Sequence, residues 1–193
     1  MNKILISPSS FGECGSEPLD LLKNAGFEVV PNPYGRKLTE NETISLGSDI
    51  IGAVAGVETY NSAVFDKLKN LKCISRVGVG IDSIDLAYAK EKGVEICITP
   101  NGPTQAVAEL SITLALNLMR RISVSDRRIR NGVWKKETGN LINGKTVGII
   151  GFGRIGKKTA SLYKALGCSV IAYDKYADSA WMESNDMGNV SFE

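Results

Sequence analysis

Gly151, Gly153 and Gly156 stand in a Gly-Phe-Gly-Arg-Ile-Gly run, and Asp174 follows 18 residues after the last of them. Glycines at this spacing act through the backbone. The first can turn sharply out of a strand, the second lets the main chain approach a pyrophosphate with no Cβ in the way, and the third lets a helix lie close to a sheet. The N–H groups of the first helical turn then face the phosphates, and the helix dipole favours their charge. A carboxylate at Asp174 can accept from the hydroxyls of an adenosine ribose and would repel a 2′-phosphate. The pattern therefore points to NAD rather than NADP, a discrimination that Lys175 next door weakens. The plainer alternative is a glycine-rich turn in some other α/β protein.

The elements needed to hold these groups surround them. Residues 146–150 form a short β-branched apolar run that predicts a buried strand. Ile155, Ala160, Leu162, Tyr163 and Leu166 fall on a helical repeat that Gly167 closes, and 169–173 reads as a second strand ending at Asp174. Beyond it the pattern decays over 177–193, where Trp181 and Met182 are the only large apolar pair and Val190-Ser191-Phe192 could begin another strand.

Upstream, strands are expected at 3–6, 27–30, 50–54, 73–77 and 94–98, with helices at 18–25, from Thr39, and at 62–68 and 85–92. Thr39 and Glu42 have the Thr-x-x-Glu form of a capping box. Strand and helix alternate with short loops, so this part should be a parallel sheet with helices on both faces, its ligands lying beyond the carboxyl ends of the strands. Two glycine loops sit at such ends, around Gly56 and at Gly78-Val79-Gly80. They could offer backbone N–H groups to a carboxylate, or they could be simple turns; the pattern does not separate the two.

Thr99-Pro-Asn-Gly-Pro103 is a break and the expected hinge between a domain at 1–99 and one at 100–193. The helix expected at 104–119 is the most apolar in the chain. Ala106, Val107, Leu110, Leu114 and Leu118 form one stripe, widened by Ile112, Ala115, Leu116 and Met119. A helix so apolar should be buried on more than one side, as core or as a subunit interface. Glu109, its one internal charge, reads as an ordinary partnered carboxylate. A charged helix is expected at 125–134, followed by a loop to Gly144.

With 193 residues, 43% hydrophobic and 23% charged, the composition is that of a globular chain of one large or two small domains. A formal charge of +2 gives no reason to expect nucleic acid, and Arg120-Arg121 and the arginines at 127, 128 and 130 read as a solvated or interfacial helix face. Cys14, Cys73, Cys97 and Cys168 lack metal-ligand spacing; buried free thiols at the last three suit a reducing compartment. The N-terminus reads as a first strand and not as a signal peptide, and no apolar run reaches spanning length. A cytoplasmic protein without membrane partners is expected. There is no histidine, the usual acid–base for an alcohol dehydrogenase, and Tyr163 and Tyr173 look like packing residues.

Four segments together resemble one family. They are Ser75-Arg-Val-Gly-Val-Gly-Ile-Asp82, the stretch from Asn101 to Glu109, Gly132-Val-Trp134, and the run from Gly144 to Gly156. In order and spacing the chain resembles the N-terminal part of a D-isomer-specific 2-hydroxyacid dehydrogenase, its phosphoglycerate dehydrogenase branch above all. The resemblance implies a flavodoxin-like parallel-sheet domain followed by an incomplete Rossmann domain, NAD as cofactor, and oxidation of a small 2-hydroxy acid to a 2-keto acid. It implies cofactor contacts at Val79, Gly151, Gly153, Arg154, Ile155, Gly156 and Asp174, and substrate contacts at Gly56, Gly78, Val79 and Gly80. It also implies homo-oligomers packed through 104–140. The family's catalytic arginine, glutamate and histidine would fall beyond residue 193, so no catalytic residue is assigned and the chain alone is expected to be inactive. The loop Ala55-Gly-Val-Glu58 lacks the serine or arginine that many relatives use near the substrate. The alternative reading is a non-enzymatic nucleotide-binding or partner-binding remnant.

Overall fold

A computed structural model describes residues 1–192 and divides the chain into two units, Met1–Pro100 and Asn101–Glu193. The first unit runs β1 (Lys3–Ile6), α1 (Glu17–Asn24), β2 (Glu28–Pro31), α2 (Glu40–Leu46), β3 (Ile50–Ala55), α3 (Ser62–Lys67), β4 (Cys73–Arg76), α4 (Leu86–Glu91) and β5 (Glu95–Ile98). Its five strands are all parallel in the order β2-β1-β3-β4-β5, the flavodoxin-like arrangement. Leu5, Ile50, Ala53 and Ile74 from the strands pack against Leu38, Tyr60, Val64 and Phe65 in one core. Helix starts are set locally. Thr39 Oγ1 accepts from Glu42 N while Glu42 reaches back to Thr39 N at 2.8 Å, completing the expected box. Asn61 and Asp85 cap α3 and α4 in the same manner.

The second unit holds α5 (Gly102–Arg120), α6 (Ile122–Arg130), β6 (Thr146–Ile150), α7 (Arg154–Ala165), β7 (Ser169–Tyr173), α8 (Ser179–Ser184) and β8 (Gly188–Asn189). Its strands are parallel in the order β6-β7-β8, a Rossmann-like arrangement. Ala160, Tyr163, Val170, Ala172 and Met182 form its core, and Ile112, Ala115, Leu116 and Met119 of α5 pack against it.

Several expectations are corrected here. α5 starts at Gly102, inside the expected break, because Pro103 fits a first helical turn that needs no N–H. α6 begins directly after Arg121, whose left-handed backbone (φ 56°) turns the chain in one residue, and Gly132 (φ 74°) ends it before Trp134. β6 is not buried: it is an edge strand, and alternation leaves Ile150 76% exposed while Val147 and Ile149 face the core. Residues 177–192 are structured, with α8 capped by Asp178 and β8 pairing with β7; the strand expected at 190–192 lies just before it, at Gly188–Asn189. Of the three thiols expected inside, only Cys168 is buried; Cys97 is exposed on the edge strand β5 and Cys73 is half-buried. α5 is buried along one side only, since Leu110, Leu114 and Leu118 (78%) are exposed. Among the described residues no helix is long and apolar enough to cross a membrane.

Candidate functional site

The second unit's site begins where β6 ends. Gly151 takes φ 92°, a conformation that favours glycine, and its N–H donates to Tyr173 O at 2.9 Å. A Cβ on Gly156 would fall 2.2 Å from Gly151 O, so only glycine lets α7 lie this close to the strand end. Gly153 differs from both. Its φ of −75° suits any residue, and a Cβ there would meet nothing within 4 Å among the described residues. Nothing inside the chain requires glycine at 153, and the space above it is open to a ligand.

The same turn presents donors. Lys157 N–H makes the first intrahelical bond, to Gly153 O at 2.9 Å. The N–H groups of Arg154, Ile155 and Gly156 precede it and have no helical acceptor. No side chain caps α7, nor α1, α5 or α6, whereas α2, α3, α4 and α8 are each closed by a side chain. An open N-terminus of this kind favours an anion.

Asp174 stands beside this turn. Its Oδ2 accepts from Phe152 N at 2.6 Å and its Oδ1 from Tyr176 N at 2.8 Å. The Tyr176 and Phe152 N–H groups hold its carboxyl below the usual range, so it is ionised near neutral pH. Phe152 is buried edge-on against Trp181, with ring centroids 5.4 Å apart, and Lys157 lies over the same indole while pairing with Asp178 at 2.5 Å. The unforeseen α8 thus fixes the glycine turn from behind. Arg154 and Ile155 are exposed, and Arg154 lines a cleft of about 530 Å³ with Thr104, Lys157, Lys158 and Trp181.

The first unit's loops are built differently. Gly56 N donates to both oxygens of Glu58, at 3.0 and 3.1 Å. Glu58 is 2% exposed and also accepts from the Tyr60 hydroxyl at 3.4 Å; burial and this carboxylate push the Tyr60 phenol up. Gly78 N donates to Thr99 Oγ1 at 2.7 Å and to Arg76 O at 2.9 Å. The Arg76 guanidinium folds back on its own loop, donating to Val77 O and to Gly80 O. Of the four glycine-loop positions singled out above, Val79 and Gly80 have N–H groups without an acceptor among the described residues. Of the four positions singled out for a substrate carboxylate, two are therefore already engaged. Glu58 is the residue that sequence reasoning left without a role, since its burial depends on the fold of β1 and β3 around it. No cluster of three metal-ligating side chains occurs among the described residues.

Residues 112–193 match the family model of the D-isomer specific 2-hydroxyacid dehydrogenase NAD binding domain. At the family level, the match is to the D-isomer-specific 2-hydroxyacid dehydrogenases. It makes NAD the cofactor, and the open helix start, the Cβ-free space at Gly153 and the ionised Asp174 fit that group. The chain is 34% identical over 180 residues to the D-3-phosphoglycerate dehydrogenase of Archaeoglobus fulgidus, covering 92% of this chain and 34% of that protein. It is 44% identical over 108 residues to the hydroxypyruvate reductase of Thermotoga maritima, covering 55% and 35%. The apo-structure of D-lactate dehydrogenase from Escherichia coli superposes with a TM-score of 0.82 at 27% identity, covering 99% of this chain and 60% of that one. The chain thus spans about a third of the length of these curated relatives. Several members match similarly, so the similarity is to the family and not to its phosphoglycerate branch in particular.

Proposed function

We propose that the chain belongs to an NAD-dependent 2-hydroxyacid dehydrogenase and holds two of its ligand sites. The observation that carries this reading is the turn at Gly153, where three helical N–H groups and an ionised Asp174 surround a space that the chain itself leaves empty. In the second unit, 100–193, the N–H groups at Arg154, Ile155 and Gly156 hold the pyrophosphate, Gly151 and Gly156 shape the turn, and Asp174 accepts from the adenosine ribose. In the first unit, 1–99, the N–H groups of Val79 and Gly80 hold the substrate carboxylate. Gly56 and Gly78 serve this site by shaping their loops, their N–H groups being engaged by Glu58 and Thr99.

NAD, when held there, would supply the acceptor for the hydride leaving C2 of the 2-hydroxy acid. Residues 1–193 contain no histidine to take the hydroxyl proton, and this chain by itself binds without turnover. The exposed apolar stripe of Val107, Leu110, Leu114 and Leu118 is the surface through which copies associate, within 104–140. The test is a fluorescence titration of the chain with NADH and NADPH. Saturable NADH binding, with NADPH at least about tenfold weaker because Asp174 repels the 2′-phosphate, is expected. No NADH binding at millimolar cofactor, or equal affinity for both, would overturn the reading. Light scattering should show an oligomer, and a clean monomer would remove the association claim.

A further inference from the structure

The carboxyl end of the first unit's sheet has a hollow that none of these roles uses. It measures about 280 Å³ and lies along the loop after β1, lined by Pro8, Phe11, Cys14, Glu17, Pro18 and Val77 among others. Two of its walls border the turn that Glu58 closes. Ala55 pairs with Arg76 in the β3–β4 register, so Gly56 lies alongside Val77, one strand spacing away. On the other side a Cβ on Gly56 would come 3.6 Å from Pro8. The open N–H groups of Val79 and Gly80 follow Val77 directly.

Two carboxylates and one guanidinium stand around this hollow. Glu17 is the only charged side chain among its lining residues. Glu58 lies behind the Gly56 turn with its two oxygens sharing one N–H and one hydroxyl, and no cation pairs with it among the described residues. The guanidinium nearest in sequence, Arg76, is turned onto its own loop, with Nε donating to Gly80 O and Nη1 to Val77 O. A phosphate subsite wants arginine, lysine or free N–H donors converging on it. Here two carboxylates flank a mostly apolar wall.

We infer that Glu58 and Glu17 set substrate choice, and that this hollow takes the small, uncharged end of a 2-hydroxy acid and rejects a phosphorylated one. The inference rests on the proposed carboxylate site at Val79 and Gly80. With the substrate carboxylate at those N–H groups, the rest of the molecule extends along Val77 into the hollow. A hydrogen, a short alkyl group or a hydroxyl fits beside Phe11, Pro18 and Cys14. A phosphate there would face Glu17 directly and Glu58 through the turn.

The probe pair is D-glycerate and 3-phospho-D-glycerate, which differ only by the phosphate. Each is titrated into the 193-residue chain in the presence of NADH and followed by amide NMR shifts at Val77, Val79 and Gly80. D-glycerate is expected to bind at least about tenfold tighter. Glu58→Gln, which keeps the acceptor oxygen for Gly56 N, should narrow the gap to about threefold or less, and Glu17→Gln on the exposed first turn of α1 should narrow it independently. Equal or tighter binding of the phosphorylated acid overturns the inference while leaving the carboxylate site standing. If neither acid moves these amides although NADH binds, the carboxylate site and the inference fall together and the cofactor reading survives. A gap that persists unchanged in both variants removes Glu58 and Glu17 as its cause.

Discussion

Two kinds of glycine turn stand at strand ends, one kind in each unit, and differ in what they do with their N–H groups. At Gly56 and Gly78 the chain supplies its own acceptors, Glu58 and Thr99, while Val79 and Gly80 have none among the described residues. At Gly151–Gly156 the helix start has no side-chain acceptor, and the one nearby carboxylate, Asp174, binds Phe152 N from the side. The first turn is largely a closed structural device with a narrow opening. The second is an incomplete one, stable as a turn yet short of acceptors for the helix behind it. An unsatisfied helix start is costly unless solvent or a ligand completes it, so the difference marks which turn is organised around an anion.

The variants that break this contrast can be ranked. The largest effect is expected for Gly156→Ala. Its Cβ would collide with Gly151 O, so α7 must shift and the second unit should lose about 3 kcal/mol in a urea melt. Next comes Asp174→Ala, which removes both the ribose acceptor and the tie to Phe152 N. NADH affinity should fall by about tenfold or more, and the preference over NADPH should shrink. In the first unit, Thr99→Val frees Gly78 N from its side-chain acceptor and should cost about 1 kcal/mol, with no change in NADH affinity at the second unit's site.

The smallest effect separates a closed helix start from the open one. The hydrogen bond from Arg36, followed by that from the Thr39 N–H, lowers the Glu42 carboxyl to about 2. A depressed carboxylate contributes stability above its ordinary value and loses it as pH falls toward the folded one. Wild type should therefore lose stability more steeply than Glu42→Gln between about pH 4.5 and 2, read from melts across that window. A parallel loss in both would show that the box contributes nothing there. Thr39→Ala should lower stability by about 1 kcal/mol at neutral pH.

What the sequence revealed followed from how local each signal is. Gly151 and Gly156 were legible because a turn and a close helix approach each demand glycine within a few residues, and Thr39 with Glu42 because a capping box is complete in four. The five alternating strands and helices of the first unit were legible from period alone. Other features depended on contacts distant in sequence. α8 is a short polar helix whose stability comes from Asp178 at its start and from Trp181 and Met182 packing against Phe152 and the second core. Arg121 adopts a left-handed turn that no glycine announced. Edge positions could not be told from central ones, so β6 was expected to be buried and Cys97 to lie inside. Nothing in the loop from Ala55 to Glu58 announces that Glu58 is buried and bound to Gly56 N and the Tyr60 hydroxyl.

The most direct test pairs binding with stability in Gly153→Ala. If the space above Gly153 exists for a ligand, this variant should melt with the wild type, since its Cβ meets nothing in the chain, yet bind NADH at least about tenfold more weakly. Unchanged NADH affinity in a folded Gly153→Ala protein would contradict the account, because a glycine the fold does not need would then have no ligand to explain it.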